Sequence, residues 1–282
     1  MSMRIKTKKK IKTVIITIVV LFAALLCFFP FYWMIITSFK SYEEIAGGST
    51  SFWPMQPTID NYIEAFNPAD TNLGLAYLNS LIIGLSTTIG TLFTASLAAF
   101  SFAKLRFRGK KVVYGILIST LMIPGLVTLI PSVMLFNALR WTEICQGFLT
   151  LIVPSIFINS YGVFMLRSFI VSIPDELLEA SEIDGCGFFK QYYRIILPLI
   201  KPALITLGLF IFIGSWNNFM GQLIYLPSEA NTIPLYIQSF NTGTSGWGPM
   251  MAASAISVIP IAIIYLKCQK YFVQGIATTG IK

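Results

Sequence analysis

Three groups of residues in this sequence have types and spacing suited to recognition or chemistry. The first is acidic. Asp175, Glu176, Glu179, Glu182 and Asp184 fall within ten residues, interleaved with Leu177, Ala180 and Ser181 and closed by Gly185. Acids this dense are disfavoured at an anionic membrane surface, so a protein partner accounts for them better than a solvated amphipathic loop resting on a bilayer. The second group is uncharged and polar, set inside long apolar runs: Thr87 and Thr88, Asn159 and Ser160, and Trp216-Asn217-Asn218. Such groups either hydrogen-bond a neighbouring helix or meet a polar solute in transit. Trp216 either stacks on a ring or packs an interface. The third is the Asn-, Thr-, Ser- and Gly-rich run Asn241 to Gly248, with Trp247, which reads as a flexible connector or as a loop that contacts a partner.

Other chemistry is poorly supplied. The sequence has no histidine, which removes the commonest proton shuttle and metal ligand. Cys27, Cys145, Cys186 and Cys268 are far apart, with no C-x-x-C spacing, and read as single apolar thiols in a reduced setting. No metal site is expected. No nucleophile, metal or paired-carboxylate set for catalysis is present, so the chain is not expected to be an enzyme. The phosphate-binding pattern G-x4-G-K-[ST] is absent, so ATP is not bound by that route.

The elements that must position these residues follow from composition. Of the 282 residues 55% are hydrophobic and 11% charged, with a mean hydropathy of +0.74. A soluble domain carries about 25% charged residues, and a membrane-spanning helix needs roughly 20 apolar ones. Six runs qualify: Val14–Thr37, Tyr77–Phe102, Val112–Leu135, Phe148–Ile170, Ala203–Leu226 and Pro249–Lys267. The first is longer than a signal-peptide core and has no A-x-A site, so it reads as a retained span. Proline interrupts the third at Pro124 and Pro131, the fourth at Pro154 and the sixth at Pro260. These predict kinks in a packed bundle.

Of the 20 Lys and Arg residues, all but Lys40 and Arg140 fall on one side of this six-span scheme. They lie in a basic arm over residues 1–13, in the loop Lys104 to Lys111, from Arg167 at the cytoplasmic end of the fourth run to Lys201 before the fifth, and from Lys267 at the end of the sixth through the tail 268–282. The positive-inside rule makes that side, and both termini, cytoplasmic. The net charge of +8 is then a topology signal facing lipid and needs no nucleic-acid partner. Residues 14–282 read as one transmembrane domain. A secondary transporter or channel is the main rival class; the spans here lack acids and histidines, which disfavours proton coupling.

The acidic group lies in a cytoplasmic loop, residues 172–202. Ser172 is expected to cap a helix with Asp175 three residues on, Pro174 suits its first turn, and Gly185 suits the left-handed residue past its end. The result is a helix of about ten residues whose one face carries Leu177, Ala180, Ser181 and Asp184. A second helix, about Phe188 to Leu197, is stopped by Pro198 and Pro202.

Glu179-Ala180-Ser181, three residues, Gly185, nine residues, Ile195, one residue, Leu197-Pro198 resembles the signature E-A-A-x3-G-x9-I-x-L-P of membrane subunits of ATP-binding-cassette importers. Ser181 for the second alanine keeps that position small. Further likeness is to the carbohydrate branch, and to the smaller permease subunit of maltose-type systems. It is carried by Phe29-Pro30-Phe31-Tyr32-Trp33, Thr37-Ser38-Phe39-Lys40, Tyr77-Leu78-Asn79-Ser80-Leu81, Ser215-Trp216-Asn217-Asn218-Phe219 and the tail Gln269 to Gly275 with Gly280-Ile281-Lys282. The resemblance implies an all-α type I importer permease with six spans in a bacterial cytoplasmic membrane. Leu177, Glu179, Ala180, Ser181, Glu182, Asp184 and Gly185 would dock on a cytoplasmic ATPase. Two such ATPases would bind ATP and Mg, with no cofactor on this chain. A second, homologous permease would pair with this one, and an external sugar-binding protein or lipoprotein would deliver the solute. Asn159, Ser160, Thr88, Trp216, Asn217 and Asn218 are then pathway residues, and Asn241, Thr242, Gly243 and Trp247 contact the binding protein. The implied solute is an oligosaccharide; glycerol phosphate and amino-acid importers share the cytoplasmic signature.

Overall fold

The computed structural model describes residues 2–66, 73–157, 159–227, 230–241, 243 and 246–279, and the backbone alone for 2–9, 146 and 272–279. Thr242 and Gly280-Ile281-Lys282 lie outside the described residues. Among those described, every regular element is helical. In order they are α1 (Ser2–Ser38), α2 (Tyr42–Ala46), α3 (Asp60–Phe66), α4 (Leu73–Lys104), α5 (Lys110–Ser119), α6 (Gly125–Ala138), α7 (Phe148–Phe157), α8 (Ser160–Val171), α9 (Glu176–Ile183), α10 (Phe188–Gln191), a π turn (Tyr192–Ile196), α11 (Leu197–Leu199), α12 (Lys201–Trp216), α13 (Phe219–Tyr225), α14 (Ile233–Ser239) and α15 (Trp247–Thr279). The chain divides into two units: Met1–Asp70 with Ile237–Ile259, and Thr71–Tyr236 with Pro260–Lys282.

Among the described residues, four helical stretches are long and apolar enough to cross a membrane: Lys10–Ser38, Leu73–Lys104, Phe148–Val171 (α7 with α8) and Trp247–Tyr271. Two bent pairs bring the number to six when each counts as one crossing, Lys110–Met122 with Gly125–Ala138 and Phe188–Leu199 with Lys201–Trp216.

Three apolar runs depart from the expected shape. The third turns through 102° between α5 and α6. Pro124 has no amide to donate, and Ile123 before it is extended at φ −82°, ψ 116°, where a residue preceding proline belongs. The fourth divides into α7 and α8, and Asn159 caps the second part. The fifth ends as a continuous helix at Trp216 and resumes at Phe219 after Asn217-Asn218.

The larger unit is built on α4, which packs against α7, α8 and α12. Its buried positions include Gly84, Thr87, Thr91, Ala95 and Ala99, a helical stripe of small side chains that lets neighbouring backbones approach closely. At Gly162 of α8, an added Cβ would lie 3.3 Å from Ala95 Cβ and 3.2 Å from Leu207, so the α4–α8–α12 contact leaves little room there. Leu166, Ile170, Ile196 and Leu207 are fully buried in this core, and Leu178 of α9 belongs to it. Thr91 Oγ1 donates to Ser155 O at 2.9 Å, and Thr94 Oγ1 donates to Ile156 O. These bonds tie α4 to the second half of α7, where Pro154 cannot donate to the helix ladder.

The smaller unit follows α1 through its exit. Lys40 is buried although charged. Its Nζ donates to Ser51 O (2.9 Å) and Ser49 O (3.2 Å), sits 4.6 Å from the Trp33 ring centre and pairs with Glu44 at 3.9 Å. Asn61 of α3 donates to Ser38 O and Lys40 O. Buried charge is tolerated only when so partnered.

Candidate functional site

The acidic loop begins one turn later than expected. Ser172 is the C-cap of α8, and its Oγ donates back to Phe169 O at 2.7 Å. Asp175 caps α9 without a side-chain bond to the helix, because its carboxylate is already engaged by Lys104 Nζ at 2.6 Å. Lys104, the last residue of α4, also donates to Ile173 O. The hydrogen bond and charge of Lys104 hold the Asp175 carboxyl below its ordinary value of 3.8.

The end of α9 follows the glycine expectation closely. Gly185 has φ +73°. Its amide donates to Glu182 O, and the Cys186 amide donates to Ser181 O, both at 2.9 Å. That bond pair is the Schellman closure, which satisfies two carbonyls at the helix end. No atom lies within 4 Å of where a Gly185 Cβ would be, so the requirement for glycine is purely conformational.

One position on the expected face is corrected. Ser181 points inward and is buried, donating to Leu178 O at 2.7 Å and accepting from Gln191 Nε2 at 3.0 Å. The position is small because it packs beneath the second helix. A partner can reach Leu177, Glu179, Ala180, Glu182, Asp184 and Gly185, which are exposed. Ile183 joins them at 88% exposure. Ile183 is six residues from Leu177 and so falls outside the i+3, i+4, i+7 face that starts there. A polar cavity of about 510 Å³ lies beside this surface, where Lys104, Arg106 and Lys110 meet Asp175, Glu179 and Glu182.

Below the loop the chain is joined to the core by a hydrogen bond and ring packing. The Tyr192 hydroxyl is 2.7 Å from Ser96 Oγ, and its ring lies 5.8 Å from Phe100. The π turn brings Tyr192 and Ile196 inward. Arg167 Nε donates to Phe102 O and its guanidinium lies over Tyr114, while Lys110 Nζ donates to Leu105 O. The basic residues predicted as a topology signal therefore also satisfy carbonyls left over at the end of α4, where cations suit the helix dipole.

The polar residues within the apolar runs separate into two sets. Asn159 and Asn218 line one cavity of about 240 Å³, together with Thr87, Ser155, Ser215 and Gln222 and an apolar wall. Asn159 Oδ1 accepts from the Gly162 amide at 2.7 Å and Asn218 Oδ1 from Gly221 at 3.0 Å, so each caps the helix that resumes after a break. The other expected pathway residues lie elsewhere. Trp216 is buried between Tyr77 and Phe212, with ring centres 5.3 and 5.6 Å away, and presents no face to a solute. Ser160 is 2.6 Å from Thr120 Oγ1. Thr88 donates to Gly84 O and packs near Gly208, while its neighbour Thr87 faces the cavity. Asn217 is exposed and outside the cavity lining. In the smaller unit Asn241, Gly243 (φ +86°) and Trp247 are exposed, and Thr242 is outside the described residues. No group of three or more potential metal ligands occurs among the described residues.

Residues 90–278 match the family model described as binding-protein-dependent transport system inner membrane component. The chain belongs to that family. The permease is accordingly a multi-pass membrane component of a transporter, with an all-α fold. It is 31% identical over 277 residues to the trehalose/maltose transport system permease protein MalG of Thermococcus litoralis, covering 96% of this chain and 98% of that one. It is 30% identical over 271 residues to the arabinooligosaccharides transport system permease protein AraQ of Bacillus subtilis, covering 95% of each. The fold is similar to a chain of a bacterial ABC transporter involved in import of the acidic polysaccharide alginate. That likeness has a TM-score of 0.78 at 21% identity and covers 93% of this chain and 97% of the other. A second structure, the alginate transporter in complex with alginate pentasaccharide-bound periplasmic protein, matches with a TM-score of 0.63 at 17% identity over 92% and 94% of the two chains.

Proposed function

We propose that this permease is one half of the membrane pathway of an ATP-driven sugar importer and that α9 is its coupling helix. The single observation that carries the coupling role is the construction of α9. Its outward side is exposed and acidic around Ile183. Its inward side is fastened to the transmembrane core by Leu178, Ser181, Gln191 and the Lys104–Asp175 bond. A helix built this way transmits a push from a soluble partner into α4, α8 and α12. Two cytoplasmic ATPases supply that push by binding ATP and Mg, and this chain performs no catalysis itself. A second permease completes the pathway, and an external binding protein delivers the solute. Asn241, Gly243 and Trp247 are the residues of this chain offered to it. Both termini face the cytoplasm.

The sugar assignment rests on the relatives, whose names specify trehalose or maltose and arabinooligosaccharides. The test is ATP-dependent uptake of labelled neutral oligosaccharides by the assembled importer in proteoliposomes, compared with Ile183→Asp. We expect the variant to lose stimulation of the ATPase and uptake together, because a buried charge at the docking surface is costly. Normal uptake by the variant would remove α9 from the coupling role.

A further inference from the structure

We infer that the segment from Phe52 to Phe66 is an anchor in the outer leaflet, with its exposed apolar side against phospholipid at the boundary between headgroups and acyl chains. The lipid contact follows from α1 crossing the membrane. Its assignment to the outer leaflet rests on the cytoplasmic termini proposed above.

The depth comes from counting along α1. Lys12 is the last cation before the first apolar run. About 20 residues cross the hydrocarbon, so a count from Val14 puts the far edge near Tyr32 and Trp33, residue types that gather at that level. The chain leaves the helix at Ser38 and then comes back. The Phe52 ring lies 6.3 Å from those of Phe29 and Trp33, and Tyr32 Oη donates to Phe52 O. Residues 51–55 therefore return to the edge of the hydrocarbon. A soluble partner does not reach below the headgroups, so lipid is the occupant that this depth favours.

A buried ion pair holds the loop there. Lys40 Nζ donates to Ser51 O at 2.9 Å, while Glu44 accepts from Ser51 Oγ at 2.7 Å and from the Met55 amide at 3.0 Å. Both ends of the loop are thus fixed, and its middle is bare: Trp53 is 70% exposed and Met55 75%. Covering these two side chains with acyl chain removes apolar surface from water, and an indole suits that boundary, with its N–H toward the wet side.

α3 continues the same surface further out. Asn61 donates to Ser38 O and Lys40 O, the Thr58 amide donates to Phe39 O, and the Tyr62 and Phe39 ring centres are 5.1 Å apart. Ser38 is five residues beyond Trp33, ~7.5 Å along the helix, which is the depth of the headgroup layer. Successive residues turn by about 100°, which divides α3 and Ile59 before it into three sides. Ile59, Ile63 and Phe66 share an exposed apolar side, Asn61 and Ala65 are buried, and Asp60 and Glu64 form an exposed acidic side. That division suits an interfacial helix, with apolar groups toward the acyl chains and acids toward water. No Lys or Arg occurs in residues 41–66, so the contact is apolar and does not depend on headgroup phosphate.

The experiment puts a nitroxide on single cysteines, Trp53→Cys, Met55→Cys, Ile63→Cys and Glu64→Cys, with the four native cysteines replaced. The permease is assembled with its partner subunits in vesicles of phosphatidylcholine and phosphatidylglycerol. Collisions with oxygen, which concentrates in lipid, are compared with collisions with a neutral, water-soluble nickel chelate. We expect oxygen to exceed nickel at the first three positions and the order to reverse at Glu64→Cys. Nickel exceeding oxygen at all four would mean water and would overturn the anchor. Low collision with both reagents at the first three would mean a protein cover, such as the second permease, and would equally overturn it. The four side chains are exposed, so melting temperatures should match the parent; if Trp53→Cys does not fold, Met55→Cys and Ile63→Cys decide alone. The leaflet is read separately, by a membrane-impermeant thiol reagent on Glu64→Cys in sealed right-side-out vesicles. Reaction in intact vesicles supports the outer leaflet. Reaction only after the vesicles are opened would overturn that assignment together with the orientation reading, and the lipid contact would stand.

Discussion

Gly185 and Ser181 sit four residues apart, yet they are constrained by different physics. Gly185 needs a positive φ and has open space around it. Gly185→Val therefore adds backbone strain of roughly 1–2 kcal/mol without a clash, and should weaken co-purification of the ATPase while leaving the permease folded. Undiminished co-purification would mean that the turn is dispensable for docking. Ser181 is limited by volume instead. Ser181→Leu must overpack the space shared with Leu178 and Gln191, at a cost of about 1–3 kcal/mol, and should lower the melting temperature in detergent. The Gly185 constraint is visible in sequence, because glycine past an acidic helix has one common use. The inward direction of Ser181 is not, because it depends on where the second helix returns.

Among the elements, the junction of α4 with α9 is the testable one. Lys104→Met removes the bonds to Asp175 and to Ile173 O while keeping the apolar stem. Basal ATPase activity should persist in this variant and uptake should fall, giving a lower ratio of solute moved to ATP hydrolysed; an unchanged ratio would deny the strut role. The pH dependence has a definite sign. Asp175 has a folded-state pKa below its ordinary 3.8, so the contact is fully present above that value and is lost only as pH falls beneath it. Coupling should therefore stay constant between about pH 5 and pH 8, and a fall within that range would point to another group. The interrupted spans make a second element-scale prediction. Asn159→Ala and Asn218→Ala each remove a cap from a resuming helix and should cost about 0.5–2 kcal/mol, measured as a lower melting temperature.

For the whole molecule, the testable quantity is orientation in the membrane. With the four native cysteines replaced, Gly187→Cys should react with a membrane-impermeant thiol reagent only from the cytoplasmic side and Gly243→Cys only from outside. The reverse pattern would invert the charge argument. The sequence by itself determined the membrane class, the six apolar runs, the placement of the acidic loop between the fourth and fifth of them, and the need for glycine at Gly185. Those follow from local quantities: apolar run length, charge placement and backbone freedom. Only the tertiary structure decided that the third run turns through 102° at Ile123-Pro124, that Ser181 faces inward, and that Trp216 is sealed between Tyr77 and Phe212. It also decided that Thr87, and not Thr88, meets Asn159 and Asn218 at one cavity. These are long-range outcomes, because neighbouring positions on a helix differ by about 100° in direction. The side that faces a cavity is fixed by which helices pack around it.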